Sequence, residues 1–510
     1  MHEGDARAAG RVVGRRLGAW HEPEAVFLAL FAAETAGDVA WLDDSAGEGW
    51  SYLAASAGTV AAWPRGVFAG LAELLPASAV PSSAPAADHD VLPDGLTFRL
   101  GLVGWIPHDA WTETVPLHHA PPTASADTAD RVPAAVLRVD RLLAFDHRAG
   151  EVWAVASAGD PWPHAVEEEL ARVAASVAPG VPAPAADTAG ADADPDSRPP
   201  VWRHDDAAYL GLIRSCQESI RRGDAYQLCL TNSATVPGHV DPVRVHLALR
   251  ALSPTHHGAF LRAGTTTLVS ASPERFVEVD AAGTLRTLPI KGTRPRHADP
   301  AADARARADL LASDKERAEN VMIVDLMRND LSRVCVLGSV HVTSLFAVEA
   351  YAQVHQLVSR VEGELAPGVS AVDAVRALFP AGSMTGAPKS AAVGILRSLE
   401  RGPRGVYAGA FGWFGDDGCV DLAMVIRSVV VTDGRATVGA GGGITALSVP
   451  EEELEEVRVK AAPLLAAVRA GRVGSPRGGP DSPRPSLPSG PDPARPAAPP
   501  TGSGPHPRVH

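Results

Sequence analysis

The sequence predicts an α+β fold built on antiparallel sheets. Short runs rich in Val, Leu, Trp and Phe are closed off by Gly, Asp and Pro, helical runs are scattered among them, and no regular strand–helix–strand alternation is present. In chain order, VAWLDDS (39–45), GLTFRLGLVGWI (95–106), AAVLRVDRLLAFDH (134–147) and GEVWAVAS (150–157) read as strands and hairpins. From 205 onward a helix over AAYLGLIRSCQESIRRG (207–223) precedes strands in AYQLCLTNSATV (225–236), TTLVSASPERFVEVD (266–280) and RSVVVTDGRATVGAGGG (427–443). Further helices are expected over 314–331, 371–379 and 451–469. Residues 76–93 and 178–200 carry too little apolar surface to order themselves and read as a surface loop and a linker; the chain from about 472 is rich in Pro, Gly and Ser. These breaks divide the sequence into an N-terminal part (1–177), the linker (178–200), a second part (201–470) and a tail (471–510), with no internal repeat.

A net charge of −14 over 510 residues repels nucleic acid and anionic membranes, so neither is an expected partner. A small anionic substrate would need local cations or a metal. Cys216, Cys229, Cys335 and Cys419 form no C-x-x-C pair and read as reduced core residues. No apolar signal core opens the sequence and no run has the length of a membrane span, so a cytoplasmic protein is expected.

The chain has four lysines against 42 arginines (46 Lys+Arg less 4), and all four, Lys291, Lys315, Lys389 and Lys460, fall between 291 and 460. Guanidinium stays protonated and needs a wide planar site, whereas an amine can lose its proton, attack carbon or act as a compact charge. The lysines therefore mark where chemistry is expected. Lys291 sits in TLPIKGTRPR (287–296), at an apolar strand end where Gly292 lets a ligand approach the backbone; an exposed strand-end lysine is the plain alternative. Glu274, after the Pro273 turn of SASPERF (270–276), is placed to act as a general acid or as an ion partner of Lys291, or is a surface glutamate. Glu316 and Glu319 lie three apart on one helical face, and Glu453 and Glu456 repeat that spacing with Lys460 one turn on. Two such faces meeting would repel unless a cation such as Mg²⁺ sat between them; apart, they are solvated acidic surfaces. GAGGGI (439–444) is unsuited to a pyrophosphate because Glu451, Glu452 and Glu453 open the next helix, but its amides suit a carboxylate held near a metal.

These motifs, in this order, resemble the chorismate-utilising enzymes, most closely component I of aminodeoxychorismate synthase. The resemblance is densest from about 205 to 465, through GDAYQLCLT (223–231), SPERF, PIKGT, ERAENVMIVDLMRNDL (316–331), VHQLVSRVEG (354–363), FPAGSMTGAPK (379–389), IRSVVV and AGGGI. The N-terminal part matches more loosely, where some members hold tryptophan. The resemblance implies antiparallel sheets packed as a sandwich with helices outside. It also implies Mg²⁺-dependent amination of chorismate at C4, giving 4-amino-4-deoxychorismate for 4-aminobenzoate and folate synthesis. Lys291 stands where anthranilate-forming relatives carry Ala; its implied role is attack on C2 with loss of the C4 hydroxyl, assisted by Glu274 as acid, before ammonia resolves the adduct. Glu319 and Glu456 match direct Mg²⁺ ligands, with Glu316 and Glu453 behind them. Tyr407, Arg427, Gly441, Gly443 and Lys460 match groups around the ring carboxylate, and Thr293, His355 and Ser383 match pocket positions. Gln227 stands where isochorismate- and salicylate-forming relatives place a water-activating lysine. Asn320 follows the metal-ligand glutamate where anthranilate-forming relatives usually carry His. Two departures are Cys229, where Asn is usual, and Ala446-Leu447-Ser448, where Ala-Asp-Ser is typical. No glutaminase segment of the G-x-C-x-G-x-Q kind is visible, so ammonia is expected from a separate glutamine amidotransferase subunit in a heterodimer. The rival within the family is an anthranilate synthase component I; the rival outside it is a catalytically silent ligand-binding regulatory subunit.

Overall fold

The structure is a computed structural model and describes residues 11–33, 37–56, 59–75, 92–117, 132–176, 198–351 and 354–472. Most of the expected surface loop (76–91), most of the linker (178–197) and nearly all of the tail (473–510) lie outside the described residues.

Two antiparallel sheets form the centre. The first runs Val12–Arg16, Glu151–Ser157, Arg141–Asp146, Trp50–Ser56, Asp38–Asp43, His257–Ala263, Thr266–Ser272, Ser428–Thr432, Arg435–Ile444, Gln227–Pro237 and Gly386–Ala387, with Val201–Trp202 also paired to Gln227–Pro237. The second runs Ile290–Pro295, Val354–Glu364, Thr284–Thr287, Arg275–Val279, Val420–Met424, Ala410–Gly415, Gly101–Ile106, Ala134–Val139 and Thr59–Trp63, with His341–Ala350 also on Val354–Glu364. Each sheet thus takes strands from both sides of the expected linker, and the described residues form one compact unit.

Strand alternation shows how the layers stack. In Asp38–Asp43, Val39 and Trp41 face a core shared with Ile213, Leu249 and Leu464 of the outer helices, whereas Ala40 faces the other way, toward Val103, Trp105 and Phe411 of the second sheet. In Gly101–Ile106 the pattern is the same: Val103 and Trp105 point into the space between the sheets, and Leu102 and Ile106 point out onto a core with Ile323, Met327 and Val375. The result is a sheet sandwich with helices on both outer faces. The helices expected over 314–331, 371–379 and 451–469 appear as Asp314–Leu331, Ala371–Leu378 and Pro450–Ala470. Ser313 caps the first by accepting the Glu316 N–H, and Ser370 with Asp373 forms a reciprocal cap on the second. Among the described residues no helix is long and apolar enough to cross a membrane.

The segment TTLVSASPERFVEVD, read from sequence as strand with a turn at Pro273, is two strands in different sheets. Thr266–Ser272 lies within the first sheet and Arg275–Val279 within the second, so Pro273 and Glu274 sit at the crossover between layers. GLTFRLGLVGWI is strand only from Gly101.

Candidate active site

The crossover, the edge strand Ile290–Pro295, the glycine run and the two acidic helices enclose a cavity of about 530 Å³. Its walls include Glu274, Lys291, Thr293, Glu316, Glu319, Ser383, Tyr407, Arg427, Gly441, Gly443, Glu453, Glu456 and Lys460. Thirteen of the fifteen residues expected to have a catalytic, substrate-binding or metal role therefore share one wall system. Gln227 stands just behind it, buried against Gly443, with its Oε1 unpartnered. His355 does not reach the wall: its ring Nε2 lies 2.9 Å from Asp303, and the next residue on that strand, Gln356, lines the cavity instead.

Gly292 explains the shape of the lysine-bearing strand. The register with Val354–Glu364 slips between Lys291 and Thr293, a bulge, and Gly292 there has φ +77°. A Cβ at this position would lie 2.7 Å from Leu310 Cδ1 and 2.9 Å from Glu316 Cδ, so only glycine lets the strand and the helix Asp314–Leu331 close up. Gly443 plays the matching part opposite: paired with Cys229, it leaves room for the Gln227 amide and brings Glu319 near the strand.

The helices meet through lysines. Lys315 Nζ is 3.3 Å from Glu453 Oε1, tying Asp314–Leu331 to Pro450–Ala470. Lys460 Nζ lies 2.6 Å from Glu456 Oε1 and donates to the Gly441 carbonyl at 2.9 Å, fastening the helix to the glycine run. Burial pushes the Glu319 carboxyl up to about 7; Lys291 and Lys315 oppose the rise and Glu316 and Glu453 reinforce it. Burial also raises Glu274, against Lys291 and a hydrogen bond from Ser383. Lys291 is half-buried as a residue but its amine is enclosed; burial favours the neutral form, yet Glu319 first, then Cys229, Glu274 and Glu456, hold its affinity for the proton above the ordinary value. Burial likewise favours the neutral form of Glu456, but Lys460 outweighs it and lowers that carboxyl. Burial depresses Arg427, which adopts φ +51° to face the cavity. Among the described residues, no three His, Cys, Asp or Glu side chains are gathered tightly enough to hold a metal; the four glutamates stand on two facing walls.

Three supports were not singled out as such from sequence. Arg404 forms a two-pronged pair with Glu400 (2.8 and 2.7 Å) and donates to the carbonyls of Met384 (2.6 Å) and Cys229 (2.8 Å), fixing the floor. Lys389 donates to Asp330 (2.6 Å) and to the Leu378 carbonyl (2.7 Å), joining the end of helix Asp314–Leu331 to the turn that bears Ser383. Asn320, wholly buried, accepts from Ser359 at 2.6 Å. A larger cavity of about 670 Å³ lies beyond the crossover, lined by Trp50, Tyr52, His256, Arg275 and Tyr351, with Pro273 and Ile290 common to both. It contains no lysine, and the reactive set belongs to the smaller one.

A profile of the chorismate binding enzyme family matches residues 37–466. The chain is 43% identical over 385 residues to an aminodeoxychorismate synthase of Streptomyces pristinaespiralis, covering 74% of this chain and 52% of that one, so it spans about half the length of that curated relative. It is 38% identical over 382 residues to anthranilate synthase component 1 of Streptomyces coelicolor, covering 73% of each. Among solved structures, anthranilate synthase component I from Streptococcus pneumoniae TIGR4 superposes with a TM-score of 0.66 at 27% identity, covering 82% of this chain and 92% of that one. The family match over most of the sequence and the sheet sandwich it shares with this structure agree: the chain belongs to the chorismate binding enzymes.

Proposed function

We propose that the chain is the chorismate-aminating component of an aminodeoxychorismate synthase. The observation that carries this reading is the placement of Lys291: its enclosed amine shares one cavity with Glu274 and Glu319 and feels the charge of both. In its neutral form the amine attacks C2 of chorismate, the ring double bonds relay the electron pair, and the C4–O bond breaks. Glu274, whose carboxyl burial pushes toward the protonated form, supplies the proton that lets the C4 hydroxyl leave as water. Ammonia then adds at C4 while the C2–N bond breaks and returns its electron pair to Lys291. Arg427, Tyr407 and the Gly443 amide orient the ring carboxylate, with Lys460 adding charge beside it. Gln227 offers no base to activate water, which favours ammonia.

The residues present fit Mg²⁺. The donors are hard carboxylate oxygens, and burial disfavours the Glu319 carboxylate in a way that added positive charge would offset, which supports this reading. Glu319 and Glu456 would hold the ion, with Glu316 and Glu453 behind them, and it would supply a counter-charge for the substrate's carboxylates. In this reading ammonia comes from a separate glutamine amidotransferase subunit, and the cytoplasmic product feeds 4-aminobenzoate and folate synthesis.

The test is purified chain with chorismate, Mg²⁺ and ammonium, the product being identified by mass and absorbance. 4-Amino-4-deoxychorismate is expected; anthranilate would replace this reading with the anthranilate synthase reading, to which relatives of that name also point. Absence of any turnover would favour a silent binding subunit. Lys291→Ala should abolish turnover at low ammonium, where free ammonia cannot stand in for the amine. Glu274→Gln should lower kcat on the order of 10²–10⁴-fold.

A further inference from the structure

Among the described residues Ile290–Pro295 pairs with one neighbour, Val354–Glu364, and that pairing is interrupted by the bulge at Gly292. An edge strand with a slipped register is weakly specified by its ladder, yet it carries the amine on which the proposed reaction depends. A hydrogen-bonded chain supplies the missing restraint from the helix side. The Phe346 N–H donates to Ser359 Oγ at 3.1 Å, the Ser359 hydroxyl donates to Asn320 Oδ1 at 2.6 Å, and Asn320 Nδ2 donates to the Pro289 carbonyl at 3.5 Å. The Ser359 N–H reaches the same carbonyl at 3.1 Å. Asn320 and Ser359 are both wholly buried, so water cannot replace the two bonds that Asn320 makes. Pro289 lies two residues before Lys291, and Asn320 follows Glu319 directly.

We infer that Asn320 is a positioning residue for Lys291: clamped by Ser359, its side-chain amide fixes the Pro289 carbonyl and thereby sets where the edge strand presents the amine against the helix that carries Glu319. The amide is suited to this because it accepts from one side and donates to the other, which a carboxylate of the same shape does not. The inference rests on the proposed reaction for its kinetic consequence; the placement of the amine can be read without any substrate.

The scarcity of lysine makes that reading clean. Brief acetylation of the intact chain, followed by peptide mass spectrometry, reports four sites, with Lys315, Lys389 and Lys460 as internal controls for Lys291. Asn320→Asp keeps acceptance from Ser359 and loses donation to Pro289, and Ser359→Ala breaks the clamp without adding charge. In both variants the Lys291 rate should rise relative to the three controls. With chorismate, kcat should fall on the order of 10- to 100-fold, while KM stays within about twofold. An unchanged Lys291 rate in both variants overturns the inference. So does a rise at all four lysines together with a lower Tm, which would mean general loosening. If the unmodified enzyme makes no aminodeoxychorismate, the functional reading fails, and the acetylation pattern still decides the role of Asn320.

Discussion

Arg404 and Glu400 lie under the floor of the cavity, Lys291 and Glu319 on its walls, and the two pairs are built differently. Under the floor, both ions are enclosed and every strong direction is used: two prongs to the carboxylate, two backbone carbonyls beneath the guanidinium, and the Thr231 N–H and hydroxyl donating to Glu400 at 2.9 and 2.8 Å. On the walls, among the described residues, Lys291 closes no ion pair or hydrogen bond at contact distance, and Glu319 and Glu274 are pushed toward their neutral forms. A buried pair with its bonds complete holds elements together; buried charges left incomplete keep their capacity for a ligand.

The largest expected effect would break this contrast if it failed. Arg404→Leu leaves Glu400 buried without its partner and should lower unfolding free energy by about 3–5 kcal/mol in a denaturant titration. Loss of both charges together, as in an Arg404→Met, Glu400→Leu double variant, should cost less than the single change.

A second measurement asks how a lone buried titratable group behaves in the scaffold. His246 sits among Phe27, Trp41 and Phe260 with its Nε2 unpartnered, and burial lowers its pKa from 6.5 to about 3. The folded state then binds fewer protons than the unfolded one, so its contribution is complete above pH 6.5 and is lost as pH falls toward 3. Histidine 257 is shifted in the same way and adds to the trend. His246→Phe should flatten the acid limb of a stability-against-pH curve, removing on the order of 4 kcal/mol of its total fall.

The smallest effect carries the opposite sign. The Glu319 carboxyl, raised to about 7, binds its proton more tightly folded than unfolded, so it costs stability as pH rises through that value. In Mg²⁺-free buffer at pH 8, Glu319→Gln should raise unfolding free energy by on the order of 1–3 kcal/mol. A loss of stability instead would place Glu319 with the floor.

The walls were legible in sequence because their chemistry leaves local marks. A lysine kept where arginine is the habit, glutamates spaced three apart and a run of glycines can each be read within a few residues, and the structure brings them together. The supports were less legible because they join distant segments. Arg404 reaches Cys229 and Met384, Asn320 reaches Pro289 and Ser359, and nothing in the neighbouring residues of any of them points to the partner. The segment VHQLVSRVEG stood out only through the family resemblance and not as a strand, and which of His355 and Gln356 faces the cavity depends on alternation relative to a bulged neighbour, a register that pattern alone does not set.

The interleaving of the sheets has a consequence for biosynthesis. Asp38–Asp43 hydrogen-bonds on one side to Trp50–Ser56, which follows at once, and on the other to His257–Ala263, more than two hundred residues later. During translation the first hairpins therefore emerge with an open flank and wait for the ribosome to deliver their mate, while Ser428–Thr432 must arrive later still to cover Thr266–Ser272. The nascent polypeptide spends most of its synthesis with unfinished borders exposed, which makes this a chain whose yield should respond strongly to slowed elongation and to chaperone supply.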